Sequence, residues 1–422
     1  MRESNQLVNR LDWGTIILYF LLVSLGWLNI FAVVYDLQAN QSIFDFSLRS
    51  GKQLIWIIAA GFLITTIMLV DFRFYSSFAY FFYGSIIIIL ILVLLFGREV
   101  AGSKSWFTIG SFQMQPSEFA KFATALAVAK YLSTNNRVFY SLRSQLTLFA
   151  IIGLPAILII LQGDTGTAMV YAAFVLVFYR EGFSPLLIGI GIAAVILFVL
   201  TLFISQVYLI IAVVVTAFLL IGLNTKKTKR IVTIAVTSFA VISLVVSVDF
   251  LVTDVLKPHQ QNRIKALINP DGDPLGYGWN VTQSKIAIGS GGMWGKGFLE
   301  GTQTKFDFVP EQSTDFIFCT IGEEHGWIGS SVLIILFVWL LYRVTIIAER
   351  QKSSFARIYG YSVAAILFFH FAVNIGMTIG LFPVIGIPLP FFSYGGSSLW
   401  AFTILLFILL KLDAHRLQVL TR

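Results

Sequence analysis

The sequence predicts an all-α, polytopic integral membrane protein, and three observations carry that reading. Hydrophobic residues fill 57% of the 422 positions and charged ones only 12%, about half the charged share of an ordinary soluble domain. Apolar runs of roughly 17–25 residues, the length a bilayer-crossing helix needs, recur along the whole chain. Lysine and arginine are concentrated in alternate connecting segments, as membrane topology requires.

Taken in order, spans are expected at about 14–35, 53–70, 76–96, 117–132, 145–162 and 164–180. They continue at about 184–204, 206–223, 230–252, 326–347, 357–381 and 390–414, giving about twelve transmembrane helices in one membrane domain covering 1–422. The first is too long for a removable signal peptide and lacks a small-residue cleavage site, so it reads as a signal anchor. With the N-terminus inside, the cytoplasmic segments hold Arg2, Arg10, Arg73, Lys130, Arg137, Arg143 and Arg180. Lys226, Lys227, Lys229 and Arg230 follow on the same side, then Arg343, Arg350, Lys352, Arg357, Lys411, Arg416 and Arg422. The short outer loops hold only Arg49, Lys52, Arg98 and Lys104. Both termini are therefore expected in the cytoplasm. The net charge of +8 is mostly a topology signal, and nucleic acid is not an expected partner.

Residues 253–312 break the pattern with a polar, Gly-rich stretch on the outer face. A loop of that length is usually functional or disordered. The aromatic and aliphatic residues among its glycines favour an ordered structure lying against the membrane. The single cysteine, Cys319, has no internal disulfide partner, and His259, His325, His370 and His415 show no ligand spacing, so no metal centre is expected.

Within the outer loop, Ser290-Gly-Gly-Met-Trp-Gly-Lys-Gly297 superficially resembles a nucleotide-binding P-loop. It fails that pattern, because Ser290 holds the first glycine position and Gly297 stands where Ser or Thr should bind magnesium. Glycine backbone that approaches a ligand closely and a plain flexible loop are the two readings left. Asp315 lies where the polar loop becomes an apolar span. It can serve as a general base for a hydroxyl at headgroup depth, or it can sit in a first helical turn that Ser313 or Thr314 caps.

In Gln115-Pro-Ser-Glu-Phe-Ala-Lys121, Pro116 is placed to open a helix, so Glu118 and Lys121 share a face. Ionisable residues inside a span are costly unless paired or solvated. An ion pair is the plain alternative to a functional role. Asp164, in Gln162-Gly-Asp-Thr-Gly-Thr167, fits a helix cap at an outer turn. Arg263 and Lys296 are outer cations able to hold a phosphate or to stay solvated. The last outer turn, Gly380 to Ser398, contains Pro383, Pro388 and Pro390 before Gly395-Gly396 and includes Ser393. It cannot be helical throughout, and non-helical backbone at membrane depth survives only inside protein or beside a cavity.

Residues 271–318, Gln115-Pro-Ser-Glu118, Gly163-Asp-Thr-Gly-Thr167 and Val373-Asn-Ile-Gly376 to Ser398 together resemble the SEDS (shape, elongation, division, sporulation) family, in the family's order over nearly the whole chain. Gly301-Thr-Gln303 resembles the elongation branch more than the division branch. The resemblance implies a peptidoglycan glycosyltransferase that polymerises lipid II on the outer, periplasmic face of the bacterial inner membrane. It also implies a class B penicillin-binding protein as crosslinking partner, besides the membrane lipids. The family's essential aspartate in its Thr-Asp-Phe motif falls on Asp315, and Glu118 and Lys121 match polar positions of its central cavity. With Asp164, Arg263, Lys296, Gln303 and Ser393, these form the expected substrate and cavity set. Asp315 would take a proton from a sugar C4 hydroxyl as it attacks with inversion, and Arg263, Lys296 or Lys121 would meet the charge of the departing undecaprenyl pyrophosphate. No cofactor is implied, and a divalent cation is left open.

Two departures stand out. The family core has about ten spans, so two extra ones are expected within about 184–252, and His325 stands where the family commonly has leucine. A lipid-linked precursor flippase or transporter is the alternative, since intramembrane charges and broken helices also describe transporters. The lack of repeated halves and the single large outer loop count against it. A non-catalytic scaffold for wall assembly is the third reading.

Overall fold

A computed structural model describes residues 10–35, 42–100, 102–110, 112–135, 138–223, 228–250, 261, 277–306 and 308–418. Nine of the described helices are long and apolar enough to cross a membrane, with shorter apolar stretches at Thr165–Arg180 and Ile188–Thr201. The expected span at about 117–132 is also a helix, more polar than the nine.

The chain divides into two compact units, Met1–Gly182 with Asn280–Arg422, and Phe183–Trp279. In the first, α1 (Trp13–Val34) is followed by α2 (Arg49–Leu69), the short α3 (Phe72–Ser77) and α4 (Ala79–Phe96). A three-stranded antiparallel sheet comes next: β1 (Arg98–Val100), β2 (Ser103–Ile109) and β3 (Phe112–Met114), in that order. The sequence reading took these residues for an outer loop, so the fold is all-α with this one addition. Lys104-Ser-Trp-Phe-Thr-Ile109 carries β-branched and aromatic residues suited to a strand. Gly110, at φ 62°, supplies the turn into β3.

The hairpin delivers the chain to α5 (Pro116–Thr134), with Pro116 in its first turn as expected. Then come α6 (Leu142–Leu161), α7 (Thr165–Met169), a 3₁₀ turn at Val170–Ala173 and α8 (Phe174–Arg180). The second unit contributes α9 (Pro185–Phe203), α10 (Gln206–Leu223) and α11 (Thr228–Phe250), in which α11 packs on both of the others. The polar, Gly-rich segment forms α12 (Tyr277–Ser290) and α13 (Thr302–Lys305), so its described part is structured. The first unit closes with α14 (Ile317–Glu349), α15 (Ser354–Thr378) and α16 (Gly396–Ala414).

At the centre lies α5, packed on α4, α6, α15 and α16. Ala120, Ala123, Ala125, Ala127 and Ala129 are all buried along it, and small side chains let helix axes approach closely where no water drives association. Around it α1, α15 and α16 are largely buried, whereas α2, α4 and α6 expose most of their apolar surface, as lipid-facing helices do. One end of this unit is clamped ionically. Arg350, just past α14, pairs with Asp12 at the start of α1 and Asp413 near the end of α16, and Arg343 also pairs with Asp12. Burial alone would raise the pKa of Asp12; the hydrogen bonds from Arg343 and Thr15 outweigh it and leave that pKa lowered. Asp315 lies at the opposite end, where α14 begins.

Candidate active site

Asp315 sits in a turn outside any helix. Helix α14 starts at Ile317 with Phe316 at its N-cap, no side chain caps it, and its first turn holds no acid. The alternative that placed Asp315 in a capped first turn does not match this geometry. The turn closes through Thr314, Asp315 and Phe316 N–H groups, all donating to the Glu311 carbonyl at 3.1, 3.1 and 3.2 Å.

Three other segments fix it. Asn374 donates from Nδ2 to the Asp315 carbonyl at 2.9 Å and to the Ile387 carbonyl at 2.8 Å. Ser393 donates from Oγ to the Thr314 carbonyl at 2.6 Å and accepts from the Leu389 N–H at 2.9 Å. Tyr394 N–H bonds the Ser313 carbonyl, and Arg49 donates to Ser313 Oγ. The half-buried carboxylate lies beside Gly386, where an added Cβ would come within 3.2 Å of Oδ2. Gly386 holds φ 71°, so the wall facing Asp315 is bare backbone.

That wall is the turn between α15 and α16. Residues 381–395 have no regular secondary structure, yet Val384, Ile385, Ile387, Leu389, Phe391, Phe392 and Ser393 are buried. The sequence expectation of irregular backbone enclosed by protein is met. The turn also joins Asp315 to the expected cavity charges. His370, one helical turn before Asn374, places Nδ1 3.1 Å from the Pro388 carbonyl. A carbonyl only accepts, so Nδ1 carries the proton and Nε2 presents a lone pair. Lys121 Nζ lies 3.0 Å from that Nε2 and 2.8 Å from Glu118 Oε2, with the Phe402 ring 4.6 Å away. Glu118 and Lys121 are 3% and 2% exposed, so the pair exists and is sealed from solvent.

Asp164 has both of its expected roles open to it. Oδ1 caps α7 through the Thr167 N–H at 3.0 Å, while Oδ2 accepts from Gln115 Nε2 at 2.8 Å and Ser117 Oγ at 3.3 Å. The backbone N–H of Gln115 donates to Ser397 Oγ at 3.2 Å. Asp315 and Ser393 are thus tied through the turn between α15 and α16 to His370, Lys121 and Glu118, while Asp164 is bonded to the start of α5 through Gln115 and Ser117.

Lys296 and Gln303 belong to a different cluster. Lys296 Nζ pairs with Glu323 Oε1 at 2.7 Å. Glu323 also accepts from the Gln303 and Thr304 N–H groups at 2.8 and 2.9 Å and from Thr304 Oγ1 at 2.9 Å. Fully buried, it anchors α13, and Lys296 neutralises it. Arg263 lies outside the described residues.

The glycine run is neither a phosphate cradle nor a slack loop. Gly326 interrupts α14 at φ 62° and ψ −157°. The freed carbonyls of Glu323 and Glu324 accept from Lys296 and Gly297 N–H, and Trp327 and Ile328 N–H groups donate to Gly292 and Met293. A Cβ on Gly291 or Gly295 would overlap carbonyl oxygens of α14. Gly295→Ala, which also strains a φ of 81°, is expected to cost about 2–3 kcal/mol and lower the melting midpoint in detergent. Gly289→Ala, with open space at its Cβ, should leave it unchanged; equal midpoints would dismiss the packing role. His325, in the same region, sets its ring 6.2 Å from that of Phe298.

Sequence reasoning missed Arg49, Asn374, His370 and Glu323. His370 and Asn374 were detectable as polar residues one turn apart in an apolar span; the partners of Arg49 and Glu323 lie far along the chain. Among the described residues, no group of His, Cys, Asp and Glu is arranged to hold a metal. An apolar groove of about 230 Å³ between α8, α14 and α15 is lined by residues such as Val177, Leu341, Ala364 and Phe368. It contains none of the candidate residues.

Comparison with known proteins agrees with this layout. The sequence model of the FtsW/RodA/SpoVE family, described as cell cycle proteins, matches residues 12–212 and 181–418. The chain is 32% identical to the peptidoglycan glycosyltransferase RodA of Treponema pallidum, covering 97% of this chain and 99% of that one. It is 34% identical to the peptidoglycan glycosyltransferase MrdB of Escherichia coli, over 85% and 84%. Among solved structures, a chain of a peptidoglycan synthase complex that coordinates polymerization and crosslinking superposes with TM-score 0.70 at 25% identity, covering 97% of this chain and 99% of that chain. Rod shape determining protein RodA of Thermus thermophilus shares the fold, with TM-score 0.60 at 24% identity over 96% and 97%. Matched along most of its length in sequence and in fold, this multi-pass membrane protein belongs to the FtsW/RodA/SpoVE family.

Proposed function

We propose that the chain is a peptidoglycan glycosyltransferase that polymerises lipid II into glycan strands for cell elongation and shape. Asp315 is its general base. A C4 hydroxyl of one sugar attacks the anomeric carbon of another; Asp315 accepts the hydroxyl proton as the new C–O bond forms. The bond to undecaprenyl pyrophosphate breaks on the opposite face, inverting the centre. The observation that carries this reading is the half-buried Asp315 carboxylate, beside the bare backbone of Gly386 on a turn pinned by Asn374, Ser393 and Arg49. A rigidly held carboxylate is what general-base catalysis needs. Glu118, Lys121, His370 and Asp164 brace the wall behind it. The relatives named as peptidoglycan glycosyltransferases support the substrate class.

The test is purified protein given labelled lipid II, with products resolved by gel and digested with a muramidase. Muramidase-sensitive strands are expected; lipid II moved across vesicles without polymer would favour the flippase reading instead.

The active face is placed on the outer side of the bacterial cytoplasmic membrane, with both termini inside and a class B penicillin-binding protein as partner. Basic residue placement supports the orientation, and the solved synthase complex supports the partner. A reporter fused after Arg230 is expected to read cytoplasmic and one inserted near Asn280 periplasmic. Both on the same side would refute the two-span insertion within about 184–252.

A further inference from the structure

Asp315 faces bare backbone, so the distance across the site is set by whatever holds that backbone. The turn is irregular, and its buried carbonyls must find donors outside a helix or sheet. Two donors come from one face of α15. Asn374 donates to the Ile387 carbonyl at 2.8 Å and to the Asp315 carbonyl at 2.9 Å. His370, one helical turn earlier, places Nδ1 3.1 Å from the Pro388 carbonyl. Residues four apart share a helix face. One rigid element therefore grips two successive wall carbonyls and the backbone of the base itself. Gly166 of α7 closes the wall from another side, where a Cβ would overlap the Ile385 carbonyl oxygen.

Only one form of the His370 ring can hold its end of this clasp. The side chain is fully buried, and Nδ1 must carry a proton to donate to a carbonyl. A neutral imidazole can place its single proton on either nitrogen. Lys121 settles which: its Nζ, 3.0 Å from Nε2, can only donate, so Nε2 stays bare. Lys121 is fixed in turn by Glu118 at 2.8 Å and by the Phe402 ring, which also meets the His370 ring in a T-shaped contact with centres 4.8 Å apart. The ion pair on α5 thus does more than neutralise itself. It selects a tautomer on α15.

We infer that His370 is a positioning residue for the reaction: bridging Lys121 and the Pro388 carbonyl as its Nδ1–H tautomer, it fixes the backbone wall opposite Asp315. This rests on the glycosyltransferase reading. The ring acts through Pro388 and Gly386 rather than on the reacting atoms. What it supplies is geometry, and a misplacement of about 1 Å can cost on the order of 10²-fold in rate.

Two substitutions separate the two ends of the ring. An asparagine amide reaches the place of Nδ1, keeps a donor for Pro388 and leaves Lys121 without its partner. A glutamine amide reaches the place of Nε2, keeps an acceptor for Lys121 and abandons Pro388. The full-length protein is assayed for initial rates of strand formation across lipid II concentrations, beside its melting midpoint in detergent. His370→Gln is expected to lower kcat about tenfold or more, with KM within about twofold of wild type. Its melting midpoint should be the nearer of the two to wild type. His370→Asn should melt lower and yet recover kcat to within about threefold of wild type. A purely structural role predicts the reverse order, with rate following stability. That order, or a wild-type kcat in His370→Gln, would overturn the inference. Should His370→Asn fail to fold, His370→Gln decides by the same two measurements.

A second readout needs no substrate. Nitrogen-15 spectra of the full-length protein labelled in histidine, with His370→Gln used to assign the ring, are expected to show His370 as a single Nδ1–H tautomer. An Nε2–H ring would overturn the inference. The Nδ1–H ring in a protein that makes no polymer would sustain the clasp while overturning the polymerase reading.

Discussion

Lys121→Met alone is expected to destabilise the protein by about 3–5 kcal/mol, and Glu118→Gln alone by a similar amount. Each change leaves its partner charged, nearly solvent-free and unpaired. Lysine removal also deprives His370 Nε2 of its donor, while Nδ1 remains fixed to the Pro388 carbonyl. The double variant Glu118→Gln with Lys121→Met removes both charges together and should be more stable than either single one. Melting midpoints in one detergent, compared across the four proteins, give the coupling. A double variant less stable than either single one would refute the pairing. Polymerisation is expected to fall in all three variants, because the wall that His370 and Lys121 brace is the one facing Asp315.

Much of this layout was legible in the sequence, for a physical reason. Apolar runs and helix-starting residues are local signals, so Pro116 opens α5 where it should, and the ion pair of Glu118 and Lys121 follows from three-residue spacing on one helix. Pro383, Pro388 and Pro390 likewise ruled out a helix between α15 and α16. What stayed hidden depends on contacts across the chain. Ser313 and Arg49 are far apart in sequence, and nothing near either announces the bond. Lys296 looked like a solvated cation because Glu323, which neutralises it, lies beyond α13. The glycine run was ambiguous for the same cause: its closeness is to the backbone of α14 at the Gly326 break, which composition does not reveal. The strands at 98–114 were missed because strands of three to seven residues are too short to carry a clear alternating signal.

Asp315→Asn measured beside wild type is the most direct test of the central claim. Asparagine keeps the size, and the turn is held chiefly through backbone carbonyls of residues 313–315 that the change does not touch. Folding should therefore survive, with a melting midpoint close to that of wild type. General-base assistance is typically worth 10²–10⁴-fold in rate, and a loss of that size removes visible polymer. Asp315→Glu should be nearly as poor, since one added methylene pushes the carboxylate toward the Gly386 backbone. The measurement is strand formation from lipid II on a gel by wild type and by a well-folded Asp315→Asn protein under the same conditions. The account expects strands from the first and none from the second; strands of normal length and rate from both would contradict it.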